Sequence, residues 1–451
     1  MPQPLLSQVL KLALPVAMQS VLISLLGMSD VFMVAGLGAG AVAAIGIGAK
    51  LHFVLVMVMA SLGSAISVLV AQYHGRGSTE SSQGILALGL TSGLLLMVPI
   101  AIVFFATPEQ LLSLLSRDAN LIDLGTSYLR ITVPLLFLTH IIIAYESALR
   151  ARSETMLPLI LAAIAIVINI ALNYVLIHGI WIFPELGSNG VAIASDIARF
   201  IQVLLLLAIL ARQNHLLALS RLLQAKGQIT RHAKQFFTIA WPLTLNFSVW
   251  GVGSFIYHGI ASAKGTEALA SLSLISPIEG LYHSLFFGFV TACSVLIGQN
   301  LGQSKFETAK YLAGKFALFA PLGSLFVGLV ILACSPIFLP WLISPTESLY
   351  QLCMQLMWVM CLSFWLKVLN MTLIIGVLRA GGDSKYMVGV DMVAMYGLGI
   401  PAALLAAFYF DLSYVWVYAM VLVEEASKAI LVIRRALKGY WIKNLGDYAA
   451  A

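Results

Sequence analysis

The chain has 451 residues, of which 61% are hydrophobic and 10% are charged, and its formal net charge is +6. A chain with so few charged residues cannot cover its surface with groups that water solvates. The composition therefore excludes a soluble protein and predicts an all-α integral membrane protein. The four cysteines lie in apolar runs without the spacing of a zinc site, so we expect neither a disulfide framework nor a bound metal.

Twelve apolar runs are long enough to cross a bilayer as transmembrane helices. Their predicted bounds, in chain order, are 9–35, 44–72, 84–106, 124–148, 156–178, 188–211, 233–260, 267–297, 311–334, 349–376, 387–410 and 413–434. Six runs precede a polar stretch and six follow it. The predicted domains are therefore an N-terminal lobe (1–211), a linker (212–232), a C-terminal lobe (233–434) and a tail (435–451).

Basic residues are concentrated in alternate loops, such as 150–152, 212–234 and 305–315. The positive-inside rule therefore predicts that the linker and both termini are cytoplasmic. The same distribution explains the positive net charge, so we expect no nucleic-acid partner.

An internal repeat supports the division into two lobes. A shift of 227 residues aligns LALP (12–15) with IAWP (239–242), and a shift of 229 aligns SDIAR (195–199) with EEASK (424–428). Because each half has six spans, the two halves have the same orientation in the membrane, and substrate paths of such repeats lie between the halves. The sequence predicts two pseudo-symmetric six-helix lobes around a central cleft.

Asp30 is the single carboxylate in a mostly apolar stretch between Lys11 and Lys50. A carboxylate at the centre of a membrane helix costs about 3 kcal/mol or more, so such residues generally face a cavity and titrate there. The repeat aligns Asp30 with Tyr257, which restricts this acidic site to the first lobe. We therefore expect Asp30 to be a cation-coupling residue.

Polar side chains of the fifth and sixth spans are candidates for the same site. Asn169 and Asn173 lie one helical turn apart and share a helix face. Ser195 and Asp196 lie near the start of the next span. Amide and hydroxyl groups can hydrogen-bond a protonated Asp30 and offer oxygen atoms to a cation or to water when it ionises. The alternative is that the two asparagines only join neighbouring helices.

Two further spacings are typical of ion pairs on one helix face. Asp196 and Arg199 are three residues apart, and so are Glu425 and Lys428 at the aligned place in the second half. We expect each pair to neutralise its own charges.

Lys367 lies well inside the tenth span and needs a negatively charged partner. We expect that partner to be Glu424, Glu425 or Asp391. Asp391 itself lies near the start of its span, where a solvated helix end is expected.

Acidic, aromatic and methionine residues are candidates for substrate binding. Glu279 lies in the middle of the eighth span, with His283 one turn later, and could carry substrate charge or a second titrating site. Aromatic rings and flexible methionines suit cationic or amphipathic compounds. The alternative for these is helix packing or contact with lipid. The other candidates are Phe32, Met33, Phe53, Trp250, Tyr257 and Tyr282.

Pro15 and Gly27 are the candidate hinge residues of the first span. Pro15 removes one backbone hydrogen bond, and Gly27 loosens the same helix. The span could therefore bend between two shapes.

Several motifs together carry a family resemblance over nearly the whole chain. Each half opens with an (L/I)AxP segment and ends its second span with Q-x-x-G, at 72–75 and 299–302. RARSET and RAGGDSK follow the fourth and tenth spans. These features resemble the multidrug and toxic compound extrusion (MATE) family. The spacing of Asp30 after Pro15 is similar to the DinF-like prokaryotic branch of that family.

The resemblance implies a cation-coupled antiporter that exports organic compounds, with the acidic site of the N-terminal lobe as the coupling centre. It also implies a monomer in a prokaryotic inner membrane, with a small-molecule substrate, protons and membrane lipid as its partners. No cofactor is implied beyond the coupling ion.

Two departures bear on the coupling ion. The DinF-like branch often has an aspartate where this chain has Asn173, so Asp30 carries the coupling alone or with Asp196. The NorM-like branch uses a glutamate in the seventh span, where this chain reads LNFSVWGVGSF. One carboxylate among amides favours a proton, whereas sodium, the alternative, prefers more charged oxygen ligands.

Two other functions are the alternatives. A flippase for lipid-linked precursors would line its cleft with arginines and lysines for a pyrophosphate, and the spans lack such a cluster. A membrane-embedded enzyme would need a motif such as HExxH or GxSxG, and the sequence has neither. We therefore expect a secondary active transporter.

Overall fold

The computed structural model describes the backbone of residues 5–113, 118–180, 182–224, 226–341, 343–344 and 348–446. Within the helices, the side chains of residues 28, 30–32, 35, 39–41, 43–44, 226 and 228–229 lie outside this description. Every regular element of the described chain is a helix, which confirms the all-α prediction.

The helices follow one another with short connections. The first nine are α1 (Leu5–Ala35), α2 (Ala39–Gly75), α3 (Thr79–Ala106), α4 (Pro108–Ser113), α5 (Ala119–Ile131), α6 (Val133–Ala151), α7 (Met156–His178), α8 (Ser188–Arg212) and α9 (Leu219–Gln224). The next eight are α10 (Lys226–Ala263), α11 (Thr266–Gly302), α12 (Phe306–Phe338), α13 (Ser348–Met371), α14 (Ser384–Asp391), α15 (Ile400–Leu404), α16 (Tyr414–Ala419) and α17 (Val421–Leu437).

Wider, π-helical turns interrupt the second half. They extend α13, join α14 to α15, and follow α15, at Thr372–Leu378, Met392–Gly399 and Leu405–Tyr409. A turn of this kind changes the direction in which the following side chains point.

Eleven helical segments of the described chain are long and apolar enough to cross a membrane. The predicted span 413–434 is divided into α16 and α17, which have six and 17 residues. The predicted span 124–148 is also divided, because Pro134 lies in the first turn of α6 and cannot continue the preceding helix. The chain is a multi-pass membrane protein, as predicted.

The described helices form two compact units. We call Met18–Ala240 the N unit, and Met1–Ala17 together with Trp241–Ala451 the C unit. Both boundaries lie inside helices, next to Pro15 of α1 and Pro242 of α10. The predicted lobes are divided at the loops instead, and their boundaries stay a prediction.

The hinge candidates lie in an unbroken helix. α1 continues through Pro15 and Gly27, and a Cβ at Gly27 would meet no atom within 4 Å. The N unit begins three residues after Pro15. This position is compatible with a hinge, whose bending stays a prediction.

The first turns of α1 pack in the core of the C unit. Val9, Leu12 and Ala13 are buried in one apolar cluster with residues of α11 and α12. Gly288 of α11 allows the close approach, because a Cβ there would collide with the Ala13 carbonyl oxygen and lie 2.8 Å from the Ala17 Cβ. A larger residue at this position would separate the two helices.

We therefore expect Gly288→Ala to lower the free energy of unfolding by about 1–3 kcal/mol through overpacking. The measurement is thermal unfolding of the purified protein in detergent. Gly280→Ala is the matched control in the same helix, because a Cβ there meets nothing within 4 Å. Equal unfolding temperatures for the two variants would contradict the close packing.

Candidate functional site

A hydrogen-bonded chain of polar side chains joins α7 and α8 in the N unit. The Asn173 amide donates to Oδ1 of Asn169 over 3.0 Å, and the Asn169 amide donates to Oγ of Ser195 over 3.1 Å. Asn173 and Asn169 are buried, with 0% and 3% exposure. The structure thus brings together three of the predicted site residues, while their coupling role stays a prediction.

Close packing of α7 and α8 explains why these side chains meet. Gly190, in the first turns of α8, faces α7, and a Cβ there would lie 2.9 Å from the backbone carbonyl of Leu176. The helix α7 ends at Gly179, which has the left-handed conformation (φ 63°) that a residue with a side chain rarely adopts. These two glycines allow a tight helical hairpin whose facing polar groups come within hydrogen-bond distance.

Asp196 follows Ser195 on α8 and is partly buried. Its Oδ1 is buried and has no hydrogen-bond partner among the described residues. The backbone N–H of Leu135 interacts with this carboxylate. That N–H lies in the first turn of α6, where it has no partner within its own helix. The break before α6 therefore supplies a donor to Asp196.

The predicted pairing of Asp196 with Arg199 is wrong. Arg199 instead donates from Nη1 to Oε1 of Gln202, over 2.9 Å. The three-residue spacing alone does not decide the partner, because a neighbouring amide on the same helix is equally close.

Asp30 and Phe32 lie in the last turns of α1. Their side chains are outside the described part of the chain. The contacts of Asp30 and the substrate role of Phe32 therefore stay predictions.

The N unit contains a second group of hydrogen-bonded polar side chains. Gln19 of α1 donates to Oε1 of Glu146 over 2.8 Å, and Arg150 lies 3.2 Å from the other carboxylate oxygen. Glu146 and Arg150 are four residues apart on α6, and this spacing in the sequence indicates their ion pair. Gln19 gives no comparable signal, since it is distant in sequence.

Lys367 of α13 pairs with Glu279 of α11. The predicted partners Glu424, Glu425 and Asp391 are therefore wrong as direct ion-pair partners. Both side chains of the pair remain 25% exposed, so Glu279 is reachable but already neutralised.

Asp391 and Lys428 also differ from expectation. Asp391 is buried, with 5% exposure, so it is not a solvated helix end. Lys428 bonds Asp391 and Glu424, where the spacing predicted a pair with Glu425. A charged side chain at a buried helix end needs a partner of opposite charge, and Lys428 is that partner for Asp391.

Two of the predicted substrate-binding tyrosines make contacts inside the C unit. Tyr282 is buried and stacks on Phe364, with ring centroids 3.9 Å apart, and its hydroxyl donates to the carbonyl oxygen of Ser324. Tyr257 donates to Oε2 of Glu424. Tyr282 is therefore a packing residue in this conformation, and Tyr257 belongs to a charged cluster.

The remaining substrate candidates are more accessible. Phe53 and Trp250 are 47% and 43% exposed. Met33 accepts a weak hydrogen bond from Ser29, and His283 is exposed and stacks on Phe287. Their exposed surfaces are available to apolar partners, whether substrate or lipid.

No group of three or more metal-binding side chains occurs among the described residues. The cysteines of the described chain are free thiols, three of them buried. The chemistry of the candidate site therefore depends on carboxylates, amides and hydroxyls.

The sequence matches the MatE family over residues 15–175 and 242–405. It is 26% identical over 391 residues to the probable multidrug resistance protein YoeA of Bacillus subtilis, covering 84% of this chain and 82% of the relative. It is also 26% identical to the probable multidrug resistance protein NorM of Synechocystis, covering 94% of this chain and 92% of that protein.

The fold is shared with solved structures. The Vibrio cholerae MATE transporter VcmN in its bent form has a TM-score of 0.81 and 20% identity, covering 96% of this chain and 97% of that one. At 20% identity this similarity shows a shared fold and nothing more.

The hydrogen bond between Asn169 and Ser195 gives a testable coupling energy. We expect the unfolding free energies of Asn169→Ala, Ser195→Ala and the double variant to be non-additive by about 0.6–1.7 kcal/mol, the range for such bonds in membrane proteins. Thermal or denaturant unfolding in detergent measures all four proteins.

The matched control combines Asn169→Ala with Ser92→Ala, since the Ser92 hydroxyl donates to the carbonyl oxygen of Gly89 in its own helix. That pair should be additive within about 0.5 kcal/mol. Additivity of the Asn169 and Ser195 variants would show that their hydrogen bond does not stabilise the helix pair.

Proposed function

Because the chain belongs to the MatE family, we propose that it is a proton-coupled antiporter that exports organic, cationic or amphipathic compounds across a membrane. Family membership makes it a secondary transporter and not an enzyme. The relatives named as multidrug resistance proteins support the substrate class.

One contact in the C unit carries the proposal for the coupling site. There, the Tyr257 hydroxyl donates to the carboxylate of Glu424. The internal repeat aligns Tyr257 with Asp30 and Glu424 with Ser195. At these two aligned positions each half therefore carries one acid and one hydroxyl, with the two groups exchanged.

The direction of the hydrogen bonds in the N unit fits this exchange. The Ser195 oxygen accepts from the Asn169 amide, so the Ser195 hydrogen is left to donate to another acceptor. The repeat relates Ser195 and Asp30 to the hydrogen-bonded pair Glu424 and Tyr257. We infer that Asp30 and the hydrogen-bonded residues Asn173, Asn169 and Ser195 belong to one coupling site.

Such a site suits a proton better than sodium. The described groups of the chain are two amides and a hydroxyl, all neutral. A single carboxylate among neutral groups can lose its charge by protonation, whereas a hard cation prefers several charged oxygen ligands. Asp196, with one buried oxygen lacking a hydrogen bond, is the second acid that could share the proton.

The transport cycle follows from the charge of Asp30. When the protein is open to the cytoplasm, Asp30 is ionised and substrate binds. Protonation from the outside neutralises Asp30, and α1 then repacks. Pro15 allows this helix to bend, because it removes one backbone hydrogen bond. Repacking changes the binding site and releases the substrate outside.

The membrane arrangement belongs to the same proposal. The basic linker 212–232 and both termini face the cytoplasm of a prokaryotic cell, and the protein acts as a monomer in the inner membrane. The apolar outer faces of the helices contact lipid.

We expect a proton gradient to drive uptake of a cationic dye into proteoliposomes, and Asp30→Asn to reduce it to the level of protein-free liposomes. The amide cannot gain or lose the proton, so the cycle stops. Dye fluorescence is recorded under separate proton and sodium gradients for wild type and variant. Asp196→Asn shows whether the second acid shares the proton.

Asp123→Asn is the matched control, because Asp123 is an exposed carboxylate of α5. It should transport like the wild type. Size-exclusion profiles establish that each variant is folded. Dye transport by folded Asp30→Asn at the wild-type rate would contradict the proposal. Uptake driven by a sodium gradient alone would show that sodium, and not the proton, is the coupling ion.

A further inference from the structure

The C unit contains a buried lysine between two carboxylates. Nζ of Lys428, on α17, lies 2.9 Å from Oδ1 of Asp391 and 2.7 Å from Oε1 of Glu424. The three side chains expose only 7%, 8% and 4% of their surface. The ammonium group therefore occupies the place that a small monovalent cation would take between the same oxygen atoms.

Neutral donors hold the outer oxygen of each carboxylate. The Asn246 amide donates to Oδ2 of Asp391, and the Tyr257 hydroxyl donates to Oε2 of Glu424. Each carboxylate thus bonds Lys428 with one oxygen and accepts a hydrogen bond from a neutral side chain with the other. The gap between the carboxylates is consequently held from outside as well as by the lysine.

The backbone beside this cluster is shaped to fit it. The helix becomes π-helical over Met392–Gly399, directly after Asp391. At Gly399, a Cβ would lie 2.6 Å from the Tyr257 hydroxyl oxygen and 2.7 Å from the Cβ of Glu424. Wider helical turns are frequent at functional sites. Here the turn ends in a glycine that leaves room for the hydroxyl and carboxylate pair.

Among Asp391, Glu424, Arg379 and Lys428, the formal charges balance only with the lysine present. Arg379 interacts electrostatically with Asp391. Two carboxylates, one ammonium and one guanidinium sum to zero, so removal of Lys428 leaves one negative charge. Glu425 also interacts electrostatically with Lys428, and it accepts a hydrogen bond from Asn370. This third carboxylate makes the surroundings of Lys428 more negative.

Stability alone does not account for such a cluster. A buried ion pair loses much of its attraction to desolvation, and apolar side chains of similar volume often stabilise a protein equally well. The arrangement is explained better by control over which cation reaches the two carboxylates.

We propose that the Lys428 ammonium is a tethered cation, which fills the position between Asp391 and Glu424 and thereby excludes sodium from the C unit. Lys428 is then a specificity-determining residue for the coupling ion. This inference rests on the proposed cation-coupled transport for its meaning, because exclusion of sodium confines the coupling to the acid of the N unit.

The test is the effect of cations on the stability of Lys428→Ala. Thermal unfolding is measured for wild type and variant in detergent, with sodium chloride or choline chloride at equal ionic strength. We expect sodium to raise the unfolding temperature of Lys428→Ala by about 2 °C or more, since it binds only the folded state. The wild type should unfold at the same temperature in both salts.

Propylammonium is a second probe of the same position. It has the shape of the atoms that Lys428→Ala removes, so it should also raise the unfolding temperature of this variant and not of the wild type. A larger cation such as choline does not fit the vacated space.

Two variants serve as controls. Lys310→Ala removes a lysine that bonds Glu307 over 2.7 Å at an exposed position, and it should show no sodium effect. The double variant Asp391→Asn with Lys428→Ala removes one charge of each sign. It should fold without sodium and should not respond to it.

The possible outcomes decide the inference. A sodium-dependent rise in Lys428→Ala alone supports it. A sodium-dependent rise in the wild type that Asp391→Asn abolishes overturns it, because the lysine then does not exclude the ion. A folded Lys428→Ala that responds to neither cation overturns it too. So does a Lys428→Ala that fails to fold in sodium while the double variant folds.

The unfolding experiment measures no transport, so its result is separate from the proposed function. A failed sodium response leaves proton-driven export to be decided by Asp30→Asn. Conversely, if the antiport proposal were contradicted, a sodium response of Lys428→Ala would still show that this variant binds a cation.

Discussion

Hydrocarbon offers no partner to a charged or hydrogen-bonding group, so a membrane span that contains one depends on the protein interior to satisfy it. Glu146 and Lys367 follow this constraint, whereas Oδ1 of Asp196 is a buried atom without a hydrogen-bond partner among the described residues. Gln19 and Arg150 both donate to the Glu146 carboxylate, and Lys367 forms an ion pair with Glu279. Because such contacts fix which helix faces meet, the polar groups determine much of the packing that apolar side chains then fill.

The sequence predicted the type of the elements and the position of most membrane helices, because runs of about twenty apolar residues have few alternatives to a membrane helix. It predicted the meeting of Asn169 and Asn173 for a similarly local reason, since a spacing of four residues fixes a shared face. Ser195 was included because the fifth and sixth spans are neighbours in sequence, and the hydrogen bond from Asn169 shows that they are also neighbours in space.

Pairings between distant helices could not be predicted in this way. Lys367 had several acidic candidates, and the choice of Glu279 depends on how far each helix is rotated. The π-helical turns at Thr372–Leu378 and Met392–Gly399 change that rotation without a clear sequence signal. Asp391 was expected at a wet helix end for the same reason, since its burial depends on α17 packing beside it.

The internal repeat provides what local patterns lack, because it relates two sites that share a backbone plan. Glu424 in the C unit has Lys428 four residues later as its permanent counter-charge. The residue aligned with Lys428 in the N unit is Arg199, which donates to Gln202. The hydrogen-bonded side chains of α7 and α8 in the N unit are two amides and a hydroxyl, which carry no charge. A fixed cation balances Glu424 in the C unit, whereas under the proposed function the acid of the N unit takes up a mobile cation to become neutral inside the membrane. On that proposal, coupling to an ion belongs to only one of the two similar units.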